Sequence, residues 1–373
     1  MKYCRKCVMP DTRPGIVFDE EGVCQACRTE EKKQRTDWTK RYQELEGLCD
    51  KHRGCNGRNA PDCVIAVSGG KDSHYQTHVF KEKMGMNPIL VSVEDNFTMT
   101  EAGKHNLRNI SEAFGCNIIA LKPDIKTQRT LMRKCFEKWG KPTWFLDRLI
   151  YTYPIRMALA MKIPLVVYGE NVGYTYGGVH REETPSAMDQ INNGVASDLP
   201  WEELMGDGVT EKELNLCEHP GEELKAFELE PVYLSYYLPW SSHYNYHFAR
   251  SVGFWDLTHE WQREHTIENY DQIDSYAYIV HAWMKYPKFG HACATDYAAR
   301  YIRYGLMDRT EAIELVRKHD HKLDQLAVRD FCNFTGMSAR EFYEVVDRLY
   351  NKDIFEKNVH GEWKLKNPIW EQE

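Results

Sequence analysis

The stretch "CVIAVSGGKDSHYQTHVF", residues 63–80, joins a short apolar run to a glycine turn and then to a helix-like pattern. "CVIAV" reads as a buried strand. Gly69 and Gly70 let the backbone turn sharply and approach a ligand closely. A helix starting near Asp72 aims its unpaired N–H groups and positive dipole end at the same point. Ser68 and Ser73 add hydroxyl donors, and Lys71 adds a point charge. The sum is an anion site of phosphate-binding type. Its spacing is not the G-x-x-x-x-G-K-S/T of the common nucleotide hydrolases, so a different phosphate bond is in question.

Outward from this turn, strands and helices alternate. "NPILVSVED" (87–95), "NIIALKPD" (117–124), "IPLVVYGEN" (163–171) and "LEPVYL" (229–234) read as further strands. A helix through "AGKHNLRNISEAFG" separates the first two, and another covers 144–162, broken or kinked near Pro154. This order predicts an α/β fold with a doubly wound parallel sheet, whose ligands lie at the carboxyl ends of the strands. Glu94-Asp95-Asn96 and Gly169-Glu170-Asn171 fall at two such ends. His74 and His78 share a helix face. "HYQTH" lacks the glutamate of a zincin, which leaves them a surface or substrate-facing role.

The N-terminus carries Cys4-x-x-Cys7 and Cys24-x-x-Cys27, sixteen residues apart. Each pair offers two thiolates from one tight turn, and four thiolates satisfy tetrahedral zinc with no position left for substrate. A structural zinc ribbon is expected, holding together a segment too small for its own core. From Thr29 to Cys49, Trp38, Tyr42, Leu45 and Leu48 recur at helical spacing, which predicts one amphipathic helix packing the ribbon onto the main domain.

The second half is less patterned. Residues 172–225 are rich in Gly, Asn, Asp and Glu and read as an insertion over the site, a lid or a disordered excursion. The aromatic-rich stretch from Tyr233 to Trp261 suits a core, an interface or a sugar, with Trp240 and His243 as substrate candidates. Beyond Thr266 the chain reads helical: Ile273, Tyr276, Val280 and Trp283 recur at threes and fours. Asp308-x-x-Glu311 and Ser338-x-x-Glu341 look like capping boxes. In "KYPKFGHACATDYAARYIRYG" (285–305), Arg300 and Arg303 would share a helix face and clamp phosphate or carboxylate. Three domains follow: 1–50, the ribbon and its linking helix; 56–235, the nucleotide domain with the insertion; and 236–373, mainly helical.

Composition sets outer bounds. The chain has 373 residues, 42% hydrophobic and 28% charged, with a formal charge of −8. That balance argues against broad nucleic-acid binding, which needs a basic face. No apolar run approaches the roughly 20 residues of a membrane helix, and no secretory leader is visible. Twelve cysteines without export signals point to a reducing cytoplasm.

Ser68-Gly69-Gly70-Lys71-Asp72-Ser73 resembles the SGGxDS loop of the PP-loop, or N-type ATP pyrophosphatase, superfamily of HUP-like fold. The resemblance implies that ATP is cut between its α and β phosphates and that AMP passes to a substrate oxygen. The cysteine pairs, the loop, "YGENVGYTYGG" and "KFGHACATDYAARYIRYG" together resemble the bacterial N-acetyl sugar amidotransferases of surface-polysaccharide and nonulosonic-acid synthesis. That likeness implies conversion of an N-acetyl to an acetamidino group, with ATP and Mg²⁺ as cofactors. It implies roles for Lys71, Asp72 and Glu170 in catalysis, Asp72 also as a magnesium ligand, and Glu170 as base for ammonia or the amide proton. Ser68, Gly69, Gly70, Lys71, Asp72, Ser73, Val93, Gly169 and Lys288 would hold ATP or pyrophosphate. Asn171, Trp240, His243, Thr295, Arg300 and Arg303 would meet the sugar.

No glutaminase signature is present: "FGCNI" is not a G-x-C-x-G turn, and the chain begins Met1-Lys2 rather than with cysteine. Ammonia is therefore expected from a separate glutaminase, and the family resemblance implies a glutaminase and a cyclase-like subunit in that part. No nucleic-acid partner or membrane span is expected; a homo-oligomer is compatible with the sequence, which does not fix the number of subunits. The alternative is a tRNA thiolase of the same superfamily, with Cys135 and Cys217 as catalytic thiols. A non-catalytic ribbon adaptor is disfavoured by the intact loop.

Overall fold

A computed structural model describes residues 1–179, 182–190 and 196–372. Its centre is a five-stranded parallel sheet: β1 (Cys63–Ala66), β2 (Pro88–Val93), β3 (Ile118–Leu121), β4 (Leu165–Tyr168) and β5 (Glu230–Tyr233). The spatial order is β3-β2-β1-β4-β5, so the winding direction reverses between β1 and β4. All five strands expected from the sequence are present, and every pairing is parallel. Strands covered by helices on both faces are apolar nearly throughout. Side-chain alternation then sends Ile65, Leu90 and Val167 into one core layer and Val64, Val91 and Val166 into the other.

Helices α1 (Gln25–Lys33) and α2 (Trp38–His52) stand where one helix was expected. The chain breaks at 34–37 because Asp37 caps a new start, accepting from the Lys40 N–H at 3.0 Å. Leu45 and Leu48 of α2 enter the sheet core, as their spacing implied. Then come α3 (Lys71–His78), α4 (Glu101–Phe114), α5 (Ile125–Trp139) and α6 (Trp144–Met161). Helix α6 runs unbroken through Pro154. Its buried face along β1, β2 and β4 outweighs one lost backbone hydrogen bond.

The 172–225 segment is packed, where described. Leu204, Val209, Leu214 and Cys217 bury against Leu131, Trp144 and Leu149, and Ser186 bridges to Val232 beside β5. Residues 180–181 and 191–195 of the expected insertion lie outside the described residues.

The C-terminal reading needs correction at both ends. Ile273 and Tyr276 lie in a loop before the helix Ile279–Trp283, so their helical spacing was fortuitous. A small antiparallel hairpin, Phe355–Lys357 with Trp363–Leu365, closes the helical region unannounced. Between them the helices pack through Phe136, Trp283, Phe331 and Phe342. Ser338 and Glu341 form the reciprocal capping box; Asp308 makes its half alone, accepting from the Glu311 N–H at 2.8 Å. Among the described residues no helix is long and apolar enough to cross a membrane.

Candidate active site

The glycine turn is built by its own side chains. The Ser68 N–H donates to Ser73 Oγ at 3.0 Å, and the Gly70 N–H donates to Ser68 Oγ at 3.2 Å. Gly69 has φ +88°, and a Cβ there would lie 2.9 Å from the Leu107 nitrogen, so the position admits only glycine. His74, fully buried, bridges the Gly70 carbonyl (3.0 Å) and Asn109 Oδ1 (2.9 Å). It therefore braces the loop, contrary to the surface or substrate-facing role expected. His78 turns to Glu82 and stacks near Phe248.

The turn opens into a cavity of about 350 Å³ at the carboxyl ends of β1, β2 and β4, where the winding reverses. In open α/β sheets that crevice is the place for a ligand. On the β2 side Val93, Met99, Leu107 and Ile273 form an apolar strip beside the carboxyls of Glu94, Asp95 and Asp274. On the β4 side stand Gln76, Gly169, Glu170 and Trp240. Of the expected residues, Ser68, Gly70, Lys71, Asp72, Ser73, Val93, Gly169, Glu170 and Trp240 all line it, as do Glu94 and Asp95.

Lys71 is 2% exposed and lies between two carboxylates, 2.8 Å from Asp72 Oδ2 and 3.0 Å from Asp271 Oδ1. Burial works against its charge, but Asp271 and Asp72 outweigh it and hold the ammonium well above its usual range. Asp271 Oδ2 also accepts from the Tyr297 hydroxyl at 2.8 Å and from Arg300 at 3.4 Å. The Asn245 amide donates to Asp72 Oδ1 at 2.7 Å. On the β4 side, burial and then the charge of Asp72 push the Glu170 carboxyl up to about 7. Glu170 Oε2 is shielded from water, and the Tyr176 hydroxyl is the polar group beside the carboxyl.

Asp271 and Asp274 were missed by sequence reasoning. They lie in "ENYDQIDSY" (268–276), whose two apolar members suggested a helix. A buried Arg263–Glu268 pair at 2.8 Å shapes this loop, with Glu268 Oε2 accepting from the Tyr270 and Asp271 N–H groups. The loop thereby delivers both aspartates to the cavity from the far half of the chain.

Other expected contacts are structural. Lys288 Nζ donates to the Gly140 carbonyl at 2.8 Å, and Thr295 Oγ1 donates to buried Asp320; neither residue lines the cavity. Asn171 caps the helix Val172–Tyr176 by accepting from the Tyr174 N–H at 3.0 Å. His243 lies against His247 and Tyr301, off the cavity. Asn96 bonds Gln128 and the Pro123 carbonyl. Arg300 supports Asp271 from behind and stacks 3.8 Å from the Tyr176 ring centre. Arg303 does not join Arg300 as a clamp: its charge is felt chiefly by Cys7, Cys27 and Cys24.

Those cysteines form one buried group. The four sulfurs all lie within 4.8 Å of one another, with Cys4 to Cys27 at 3.9 Å and Cys7 to Cys24 at 3.7 Å. A tetrahedron with Zn–S bonds of about 2.3 Å has edges of about 3.8 Å, so the donor set fits one metal ion. A four-iron cluster binds each thiolate to a separate iron and needs a wider set.

Sheet order and glycine turn together define a doubly wound α/β protein with a phosphate-binding type of glycine turn at its switch point. Residues 264–369 match the family described as LPS biosynthesis protein WbpG-like, C-terminal domain. The aspartate loop is inside that match. The uncharacterized protein MJ1599 of Methanocaldococcus jannaschii is 22% identical over 56% of this chain and 76% of its own length. Among solved structures, the U34-tRNA thiolase NcsA of Methanococcus maripaludis, with its 4Fe–4S cluster, is 12% identical at TM-score 0.31, covering 90% of this chain and 96% of that one. The NMN synthetase of Francisella tularensis is 14% identical at TM-score 0.29, covering 52% and 93%.

Proposed function

We propose that the protein is a cytoplasmic ATP-dependent amidotransferase of bacterial surface-glycan synthesis. It adenylates the oxygen of a sugar N-acetyl group and replaces that oxygen with ammonia. The observation that carries this reading is one cavity lined both by a phosphate-binding type of turn and, from the neighbouring strand β4, by a carboxyl raised to near neutrality. The WbpG-like match supports the glycan setting.

ATP places its base along the apolar strip on the β2 side and its phosphates against the turn and the head of α3. The amide oxygen attacks the α-phosphorus, and the bond to the β-phosphate breaks. Lys71 and the loop N–H groups offset the charge on departing pyrophosphate. The amide N–H proton passes to Glu170, whose pKa near 7 suits a base at neutral pH. Ammonia then adds to the imidate carbon and AMP leaves with the former acetyl oxygen. Asp72, which faces the cavity, is the protein ligand for magnesium; the ion, when bound, neutralises phosphate charge. The four cysteines hold structural zinc, remote from the chemistry. Ammonia comes from a separate glutaminase with a cyclase-like subunit, so ammonium salts support turnover and glutamine alone does not.

Thiol chemistry is disfavoured by where the thiols are. No cysteine lines the cavity, and Cys135 and Cys217 are buried, with burial pushing the Cys217 thiol up to about 11. Replacing both by serine should leave turnover intact. The decisive experiment places a heavy-oxygen label in the acetyl carbonyl of N-acetylated sugars, with ATP, Mg²⁺ and ammonium. AMP carrying the label is expected; ADP and orthophosphate as products would reject the reading.

A further inference from the structure

Three side chains lining the cavity are more than nine-tenths buried, and each keeps one polar atom with no partner among the described residues. They are Gln76 Oε1 (5% exposed), Trp240 Nε1 (3%) and Gln190 Oε1 (8%). The Glu170 carboxyl lines the same cavity. Buried polar groups without partners cost free energy and are few in native proteins, so a cluster in one cavity points to a ligand that meets them.

Two of the three converge on one spot. The Gln76 amide and the Trp240 ring both close over Gly169: a Cβ on that glycine would sit 2.8 Å from Gln76 Nε2 and 3.0 Å from Trp240 Cη2. Gly169 has no left-handed φ, so its glycine is explained by this close approach and not by backbone strain. The next residue is Glu170. Within one cradle there are therefore a side-chain amide with its acceptor and donor ends, an indole with its N–H, and a titratable carboxyl on the next residue.

We infer that this cradle is the subsite for the acceptor's secondary amide, a specificity that rests on the amidotransferase reading. Trp240 Nε1 donates to the acyl carbonyl oxygen, and Gln76 Oε1 accepts the amide N–H. The carbonyl keeps its second lone pair for the α-phosphorus. That single N–H is shared: Gln76 Oε1 orients it, and Glu170 takes its proton as the imidate forms. An O-acyl ester offers the same carbonyl but no N–H, and a free amine offers no carbonyl. The subsite therefore selects N-acylated acceptors by pairing both polar edges of the amide, whatever sugar carries it. Gln76 is a positioning and specificity residue that the sequence alone did not single out.

The test uses the bare functional group on the full chain, so it does not depend on knowing the sugar. Binding of N-methylacetamide and of methyl acetate is followed by saturation-transfer NMR with Mg²⁺ and a non-hydrolysable α,β-methylene analogue of ATP. The unmodified protein should prefer the amide to the ester. Gln76→Leu should abolish that preference, weakening the amide about threefold to tenfold, the worth of one neutral hydrogen bond, and sparing the ester. Trp240→Phe should weaken both probes alike. The inference is overturned if the unmodified protein shows no amide preference, if Gln76→Leu keeps it, or if these variants lose the nucleotide instead. Selective amide binding without AMP release in the labelling experiment would leave the subsite standing and reject the amidotransferase reaction.

Discussion

Glu170 ties local electrostatics to a measurable rate. In water a glutamyl carboxyl titrates near 4.5; here burial first, and the Asp72 charge second, move it to about 7. A carboxyl raised in this way is protonated, and useless as a base, over most of the acid range. Turnover with saturating ammonia should therefore rise with pH through about 7 and flatten above it. Glu170→Gln should lower kcat by about 100-fold to 10,000-fold, the usual worth of general base catalysis, and erase the acid limb. An unchanged limb in that variant would assign the titration elsewhere. Asp274 gives a second, thermodynamic sign. Burial, then the charges of Asp95 and Asp271, raise it to about 7 from an ordinary value of 3.8. The folded state thus binds a proton that the unfolded state releases, and the stability it contributes is lost as pH rises from 3.8 through 7. Asp274→Asn should gain on the unmodified protein in Tm across that window and hold a constant difference above it. A difference that stays flat from pH 4 to 7 would contradict the shift.

The strand–turn–helix unit was legible in the sequence because its determinants are local. Apolar runs name the strands, and the glycine pair names the turn. Gly69 shows why the second inference was sound: its φ of +88° and its approach to the Leu107 nitrogen leave no room for a side chain. Gly69→Ala should cost at least the 1–2 kcal/mol of a left-handed alanine, and more because α4 must move back. Denaturant unfolding reads the stability loss, and nucleotide binding should fall with it. The unread parts depend on contacts distant in sequence. Nothing near residue 271 announces a carboxylate for Lys71, because the partner is 200 positions away and the loop is shaped by the buried Arg263–Glu268 pair. Gln76 was hidden for the same reason: its meaning lies in Gly169 and Trp240, which only the folded sheet brings together. Thr295, Lys288 and Arg303 went the other way. Polar residues in one basic-looking stretch suggested ligand contacts, yet Thr295 meets Asp320, Lys288 the Gly140 carbonyl, and Arg303 the cysteine group.

Across the whole molecule, the cysteine group is stapled to both halves rather than hung from one. Arg13, between the two cysteine pairs, donates to the Gly177 carbonyl at 2.7 Å and pairs with Asp296 at 2.8 Å. Arg309 reaches back to the Cys7 and Cys4 carbonyls at 3.2 and 3.3 Å. The helix Cys293–Arg303 therefore has Arg303 toward the thiolates at one end and Asp296 on Arg13 near the other, with Arg300 between them holding Asp271. Asp271 holds Lys71 at the turn. The cysteine group and the cavity are thus joined through one helix. A structural zinc site contributes many kcal/mol of folding energy, so removing the ion by a strong chelator, or replacing Cys24 by serine, should lower Tm on the order of 10 °C or more. Loss should extend to nucleotide affinity, although no cysteine touches the cavity. Metal content, Tm and binding of an ATP analogue, followed through one chelator titration, should fall together. If metal left the protein and the nucleotide still bound with unchanged affinity, the helix would carry no such link, and the cysteine group would stabilise its own segment alone.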